Sequence, residues 1–366
     1  MAYSRTTTKP AAPILGFLAQ DINLPDDAQD TISSVSWSPV AHHLAAASWD
    51  GKVRIYDVDA STAAARGAAL LAADGPLLDC DWAKDGTLVV AAGADAKTHI
   101  LHVATGQTDT LGSHAKPVRC VRFVDVPGSG APVVASGSWD RTVKYWDLRQ
   151  RDPVATVACR ERVYAMDAAA SLLVVGTAAQ HVHLIDLRKP DVFLRSVDTP
   201  FKSQTRSVAA FPDGKGWGTA SIEGRCGISV VDETLASKNN FTFRCHRTAP
   251  PPDNSNNNNN NNKKKQPTQV WAVNAIRFHP TRPSVFLTAG SDGSFAFWDR
   301  VAHARLKGYA SVGAPLTAAA FSRDGAFLAY ASGYDWHAGA AANSPGIPTR
   351  LALHRVTAEE STPRKG

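Results

Sequence analysis

Residues 136–147 read SGSWDRTVKYWD, and the expected fold follows from this stretch. A run of small residues leads into a tight turn at Asp140, and the run after the turn ends in Trp146 and Asp147. The same closing pair returns in FWDR, which contains Trp298. Two short β-rich runs around a tight turn are typical of a hairpin in an antiparallel sheet. The stretch therefore predicts one hairpin of a repeated all-β unit.

The unit recurs along the chain with a nearly constant period. An aromatic residue closes its first strand, with spacings of 45, 41, 88, 67 and 43 residues, at Trp37, Trp82, Phe123, Phe211, Phe278 and Phe321. The gap of 88 residues holds a degenerate unit that begins at Val163, which makes seven units. A period of about 40–45 residues with a closing Trp-Asp pair resembles the blades of WD-repeat propellers. We therefore expect an all-β, seven-bladed WD-repeat β-propeller.

The two chain ends are expected to meet in the last blade. The seventh unit supplies three strands, the last of them RLALHRV at 350–356, whereas a blade needs four. Residues 16–24, GFLAQDINL, are free to supply the missing outer strand. We expect a single propeller over residues 16–356, closed by this N-terminal strand, with a flexible tail at 1–15 and a polar tail at 357–366.

An insertion interrupts the regular spacing before Phe278. It covers about residues 248–269 and contains seven asparagines at 256–262 followed by lysines at 263–265. Such a polar segment buries too little apolar surface to offset the entropy of ordering. We expect a disordered loop between two blades.

Polar residues of the repeats point to a structural network. In WD-repeat proteins, which this pattern resembles, the turn Asp binds a His of the preceding loop, the His binds a strand Ser or Thr, and that hydroxyl meets the Trp indole. The corresponding residues of the third unit are His114, Ser136, Asp140 and Trp146. The sixth unit keeps Thr288, Asp292 and Trp298 but shows no evident histidine before them.

Composition excludes several classes of protein. The 366 residues carry a net charge of +6 and are 44% hydrophobic, which is typical of a folded globular chain. The five cysteines form no C-x-x-C pair, so neither a disulfide framework nor a zinc ribbon is expected. Phosphate-binding, zinc-protease and hydrolase motifs are absent from the sequence. We expect no enzyme, and therefore no catalytic residue, no metal and no cofactor.

The turns between the second and third strands of each unit are expected to share one face of the ring. Trp49 and Trp139 precede the turn acid in two units, and each ring either anchors a partner or folds back over its neighbouring blade. Basic residues flank the turn acid in four units, at Lys52, Lys97, Arg141 and Arg225. Their combined field favours an acidic partner, whether protein or nucleic acid.

Three further strings suggest a narrower family. SIEGR at 221–225, FTFRCHR at 241–247 and YASGYDW at 330–336 resemble the nuclear-pore-associated mRNA export family of WD-repeat proteins. The mitotic-checkpoint propeller, a cousin of that family, shares SIEGR and a similar CHR string. YASGYDW and the FTF form of the second string favour the export family.

The resemblance implies a binding mode. Members of this family hold a hairpin-forming nucleoporin peptide, the GLEBS motif, across the propeller face. Carried onto this sequence, Arg225 pairs with a peptide glutamate, and Phe243 and Trp298 line a neighbouring apolar pocket. Arg244 and Arg247 add charge. Internal alternatives are that Arg225 pairs with Glu223 and that Phe243 and Trp298 are core residues.

These expectations describe a non-enzymatic adaptor. Its partner is a nucleoporin with a GLEBS motif, and its role is support of mRNA export at the nuclear pore complex. The alternatives are a spindle-checkpoint scaffold that binds checkpoint kinases and a propeller that binds RNA directly. No signal-peptide run and no apolar stretch of about 18 residues occurs in the sequence, so we expect no membrane insertion. The expected location is the nucleus and nuclear envelope, with shuttling to the cytoplasm.

Overall fold

The computed structural model describes residues 18–25, 28–62, 64–248, 268–343 and 347–364, and within these ranges the strands form seven four-stranded antiparallel sheets and one two-stranded ribbon. The first strand of each sheet contacts the first strand of the next, and the seventh contacts the first, so the sheets are blades of a closed ring. The expected seven-bladed propeller is confirmed.

Strands of each blade follow one another from the central channel outward. Blade 1 consists of β2 (Ile32–Trp37), β3 (His43–Ser48), β4 (Lys52–Val58) and β5 (Ala65–Ala72). Blade 2 consists of β6 (Leu77–Trp82), β7 (Leu88–Gly93), β8 (Lys97–His102) and β9 (Thr108–Ser113). Blade 3 consists of β10 (Val118–Val124), β11 (Val133–Ser138), β12 (Thr142–Asp147) and β13 (Ala155–Ala158). Blade 4 consists of β14 (Val163–Ala169), β15 (Leu172–Thr177), β16 (His181–Asp186) and β17 (Arg195–Asp198).

The remaining blades keep this order and add short elements. Blade 5 consists of β18 (Thr205–Ala210), β19 (Gly216–Ser221), β20 (Arg225–Val230) and β21 (Phe241–Arg244), with helix α1 (Ala236–Asn239) before β21. A ribbon of β22 (Arg247–Thr248) and β23 (Gln269–Val270) follows. Blade 6 consists of β24 (Val273–Phe278), β25 (Val285–Gly290), β26 (Phe295–Asp299) and β27 (Ala304–Tyr309). Blade 7 consists of β28 (Leu316–Phe321), β29 (Phe327–Ser332), β30 (Arg350–Arg355) and β1 (Ile22–Asn23), and helix α2 is Ala358–Ser361. Single 3₁₀ turns occupy Ala178–Gln180, Glu233–Leu235 and Ala340–Ala342.

The N-terminal strand closes the ring as expected. Ile22 and Asn23 of β1 pair with Leu353 and Ala352 of β30, at the outer edge of blade 7. The amide of the buried Leu24 extends the pairing and donates to Leu351 O at 2.8 Å. Residues 1–15, expected to be a flexible tail, lie outside the described residues.

The apolar core lies between neighbouring blades. Val53 and Ile55 of blade 1 pack with Leu77 and Trp82 of blade 2, and all four are buried. A small residue is needed where a large ring of the next blade packs directly against a strand, as at Gly112 in the outer strand β9 of blade 2. A Cβ atom on Gly112 would lie 2.2 Å from the Trp146 ring, so only glycine fits there.

The C-terminal segment differs from the expectation. Residues 357–366 were expected to form a polar tail, but α2 packs on the outer strands of blade 6 and buries Glu360. Thr357 and Glu360 form a capping box at its start. The Glu360 carboxylate accepts a hydrogen bond from His354 Nε2 at 3.2 Å, and this partner makes burial of the charge possible.

The insertion lies largely outside the described residues. Its two ends are described, and they are neighbours: Arg247 and Thr248 pair with Val270 and Gln269 in the ribbon. The insertion therefore leaves and re-enters the ring at one point.

Candidate functional site

The network of blade 3 has the expected residues in the expected order. His114 Nδ1 lies 2.9 Å from Asp140 Oδ2, and His114 Nε2 lies 2.7 Å from Ser136 Oγ. The Trp146 indole donates to the same hydroxyl at 2.7 Å. Burial lowers the pKa of His114 although Asp140 opposes the shift, which favours a neutral ring that serves as donor to one partner and acceptor to the other. The network holds the turn that carries Trp139.

Blade 6 has the same network, and the histidine that the sequence did not reveal is His246. Its Nδ1 lies 2.8 Å from Asp292 Oδ1, and its Nε2 lies 3.0 Å from Thr288 Oγ1, which also accepts from the Trp298 indole at 3.0 Å. The histidine precedes the strand hydroxyl by 42 residues here and by 22 in blade 3. The insertion separates His246 from β24 and conceals the regular spacing. A search for histidine before the insertion would have found it.

Arg247 stabilises the turn between β19 and β20 through hydrogen bonds to its carbonyl groups. Its Nη2 donates to Glu223 O at 2.7 Å and its Nε donates to Gly224 O at 3.3 Å. Gly224 has a φ of 63°, and a Cβ there would lie 2.7 Å from Cys245 O. Arg247, expected to add charge for a partner, is thus committed to the turn that presents Arg225.

Arg225 and Arg244 form a basic pair at the top of blade 5. They are directly opposed partners of β20 and β21, so their side chains project from the same face of the sheet. Arg244 is exposed, and the Arg225 side chain is 36% exposed. The internal alternative is present but weak, because Arg225 Nε lies 3.9 Å from Glu223 Oε1, beyond hydrogen-bonding distance. Glu223 is the only carboxylate that forms an ion pair with either arginine within the described part of the chain.

Phe243 and Trp298 belong to an aromatic group between blades 5 and 6. Their ring centroids are 4.7 Å apart, and the Phe286 ring lies 5.8 Å from Phe243. Both residues are partly buried, so each is a core residue with an accessible edge. Phe243 pairs with Cys226 and therefore projects from the face opposite to Arg225. The ring expected to make apolar contacts and the arginines expected to carry charge therefore lie on opposite faces of the sheet at β21.

Tryptophans surround the mouth of the central channel. Trp49 stacks on Trp336 with centroids 4.4 Å apart and an interplanar angle of 14°, so its ring does fold over a neighbouring blade. The Trp139 indole Nε1 is buried and has no hydrogen-bond partner in the described structure. Both line a cavity of about 650 Å³ together with Trp271 and Trp336. The last two were missed as candidates, because they lie outside the repeat positions.

Arg122, deeper in the channel, is paired with two carboxylates. Arg122 Nη1 lies 2.6 Å from Asp79 Oδ2, and its Nε lies 3.2 Å from Asp167 Oδ1. Burial raises the pKa of Asp81 to about 6 although Arg122 opposes the shift. The described residues contain no group of three or more His, Cys, Asp or Glu side chains placed to hold a metal ion. No helix among them combines the length and apolarity needed to cross a membrane.

Comparison with known proteins agrees with this architecture. The family model "WD domain, G-beta repeat" matches residues 23–57, 106–147 and 265–299. The WD40 repeat protein poxJ of Penicillium oxalicum is 45% identical over 350 residues, which cover 95% of this chain and 97% of the relative. The poly(A)+ RNA export protein of Schizosaccharomyces pombe is 42% identical over 99% of this chain and 98% of its own length.

Further relatives separate the two families suggested by the sequence. The mRNA export factor GLE2 of Chaetomium thermophilum is 42% identical over 98% of this chain and 97% of its own length. The mitotic checkpoint protein BUB3.1 of Arabidopsis thaliana is 36% identical over 86% of this chain and 88% of its own length, and is thus a more distant relative. The chain belongs to the WD40-repeat family of mRNA export factors that includes GLE2 and Rae1.

Proposed function

We propose that this protein is a non-enzymatic adaptor that binds a GLEBS-type nucleoporin peptide at blade 5 and thereby supports mRNA export at the nuclear pore complex. The names of the fungal relatives, a poly(A)+ RNA export protein and an mRNA export factor, support the export role. The adaptor acts in the nucleus and at the nuclear envelope and shuttles to the cytoplasm.

The basic pair of Arg225 and Arg244 is the observation that supports the peptide site most directly. Among the residues that the structure describes, the two guanidinium groups on one face of β20 and β21 have a single carboxylate as ion-pair partner, that of Glu223, 3.9 Å from Arg225 Nε. A planar guanidinium fork matches a carboxylate in two-pronged geometry, which makes arginine well suited to acidic peptide side chains. The site therefore retains positive charge for a peptide glutamate.

The aromatic group beside this pair suits the rest of a hairpin peptide. Phe243 and Trp298 each leave an edge accessible between blades 5 and 6. Partly exposed aromatic rings next to a charged contact exclude water and act as anchors in protein interfaces. A peptide that crosses the end of β21 would meet the guanidinium groups on one side and the rings on the other.

Calorimetric titration of a GLEBS-type peptide tests the proposal. Arg225→Glu should weaken binding by about 2–5 kcal/mol, because reversing one partner of a desolvated charge pair leaves a buried repulsion. Lys97→Glu is the matched control, since Lys97 is the first residue of β8 and occupies in blade 2 the place that Arg225 occupies in blade 5. Folding should change by only about 0–1 kcal/mol, since Arg225 forms only a partly exposed ion pair.

Three outcomes are distinguishable. A loss confined to Arg225→Glu supports the site, whereas equal and salt-sensitive losses in both variants mean general attraction to a positive face. Small and equal losses contradict the site.

Co-purification separates the alternatives: the main retained species is a nucleoporin for the adaptor, a checkpoint kinase for the scaffold, and RNA that survives high salt for direct RNA binding.

A further inference from the structure

The second residues of the seven inner strands form a ring at the mouth of the channel. These residues line the two cavities there, and they are Ser33, Leu78, Arg119, Tyr164, Arg206, Asn274 and Thr317. Within this ring, two residues are arginines and none is a carboxylate. The ring therefore carries positive charge, unlike the paired charges of Arg122 and its partners deeper in the channel.

Neither arginine of the ring has an ionic partner among the described residues. Arg119 Nη1 donates to Leu78 O at 3.1 Å, and Arg206 Nε donates to Asn274 Oδ1 at 3.0 Å. Burial lowers the pKa of Arg206, and the charge of Arg119 lowers it further although Asp335 opposes the shift, so the two guanidinium groups repel each other. An anion between them would attract both guanidinium groups and so offset their repulsion and part of their desolvation cost.

A side cavity of about 290 Å³ adds a third arginine. Arg119, Arg162 and Arg206 line it together with Trp139 and Tyr164, and no carboxylate does.

The two carboxylates that line the larger cavity, those of Asp79 and Asp335, already bind other residues. Asp335 binds Ser291 and His337 and contacts the Asn274 amide at 3.4 Å, and Asp79 binds Arg122. Neither acid forms an ion pair with an arginine of the side cavity among the described residues, although the charge of Asp335 acts against the lowered pKa of Arg206.

We propose that Arg119, Arg162 and Arg206 bind a phosphate group at the mouth of the channel, with Trp139 and Tyr164 against an apolar ring of the same ligand. Arginine forks bind phosphate in two-pronged geometry. A phosphate monoester carries nearly two negative charges near neutral pH, which suits three guanidinium groups better than a single carboxylate does. This site goes beyond the peptide site of blade 5 and requires none of its residues.

Titration calorimetry with phenyl phosphate, inorganic phosphate and benzoate tests the inference on the full chain. We expect phenyl phosphate to bind most tightly, inorganic phosphate next and benzoate least. Arg119→Met and Arg206→Met should each weaken phenyl phosphate binding by about tenfold or more, because hydrogen bonds to a charged group are lost. Arg141→Met is the control, since Arg141 is an exposed arginine in the turn between β11 and β12.

The free protein supplies an independent readout. Arg206→Met should keep or raise the melting temperature without ligand, because it removes a partly buried charge that has no ion-pair partner among the described residues. Arg206→Lys keeps the positive charge but removes the two-pronged guanidinium group, so it should also weaken phenyl phosphate binding. The inference is overturned if neither phosphate compound binds at millimolar concentration, if Arg141→Met loses as much affinity as Arg206→Met, or if benzoate matches phenyl phosphate. Preference for inorganic phosphate over phenyl phosphate would overturn the role of the two rings.

Discussion

His354 Nδ1 lies 2.7 Å from Asp21 Oδ1, although the two residues are 333 positions apart in the chain. His354 belongs to β30, and Asp21 immediately precedes β1, so the contact fastens the strand that closes the ring. His354 Nε2 lies 3.2 Å from Oε1 of Glu360, a residue of α2. Tyr330 OH donates to Asp21 Oδ2 at 2.8 Å, and Tyr309 donates to Glu360. Described segments near both termini, at Asp21 and at Glu360, therefore converge on one buried histidine.

The His354 cluster should make stability depend on pH. Its two carboxylate partners raise the pKa of His354 to about 9 against the effect of burial. Hydrogen bonds from His354, Tyr309 and the Thr357 amide lower the pKa of Glu360 to about 2, again against burial. A raised histidine pKa stabilises the fold fully below about pH 6.5 and loses this effect as the pH rises through about 9. The lowered glutamate pKa stabilises above about 4.5 and is lost as the pH falls towards 2.

His354→Gln tests this dependence. Near pH 6 the variant should lose about 3–5 kcal/mol of unfolding free energy, because it leaves two buried carboxylates without their cation. The difference from the unaltered protein, measured by urea unfolding, should shrink as the pH approaches 9. His102→Gln is a suitable control, since the His102 side chain is 45% exposed. A difference that stays constant from pH 6 to 9 would contradict a protonated His354.

Deleting residues 1–24 should cost far more stability than trimming an ordinary tail. The deletion removes β1, the buried Leu24 and the Asp21 carboxylate, and it exposes the edge of β30. Both the melting temperature and the solubility should fall. A truncation that ends at residue 17 keeps all of these contacts and serves as the control. Equal melting of the two truncated chains would refute the role of the closing strand.

Much of the fold could be predicted because each blade has a local signature. The spacing of aromatics such as Trp37 and Trp82 sets the number of blades, and the missing fourth strand of the last repeat indicates the N-terminal closure. The C-terminal helix could not be predicted in this way. Its burial depends on the hydrogen bond between Glu360 and His354. A single contact between a charged residue and a neighbouring strand leaves no periodic pattern in the sequence.

The candidate site was only partly predictable. Arg225 and Phe243 lie in strings that resemble a known family, but their opposite faces follow from the pairing of β20 with β21, which the sequence does not display. His246 was overlooked because the insertion displaces it from its usual spacing. Arg119 and Arg206 belong to different blades and line one cavity only because the blades close into a ring around the channel.

His246→Ala should destabilise the protein as much as His114→Ala does. Each histidine bridges a turn aspartate and a strand hydroxyl, and both are buried. Loss of either leaves a buried hydroxyl and a carboxylate short of a partner, at a cost of about 1–3 kcal/mol. Chemical unfolding of the two variants measures this cost, with His102→Ala as the exposed control. A His246→Ala variant as stable as the control would show that blade 6 does not depend on its network.

Replacing residues 249–267 with a Gly-Ser linker of about four residues should leave the melting temperature unchanged or slightly higher. Thr248 and Gln269 are paired partners of the ribbon, so a short turn can join them, and shortening a loop lowers its closure entropy cost by roughly 1 kcal/mol. The informative comparison is a longer deletion of 247–270, which also removes the two hydrogen bonds from Arg247 to the turn that presents Arg225. That variant should melt earlier and bind the peptide more weakly. A large fall in melting temperature after the shorter replacement would mean that the insertion packs on the ring.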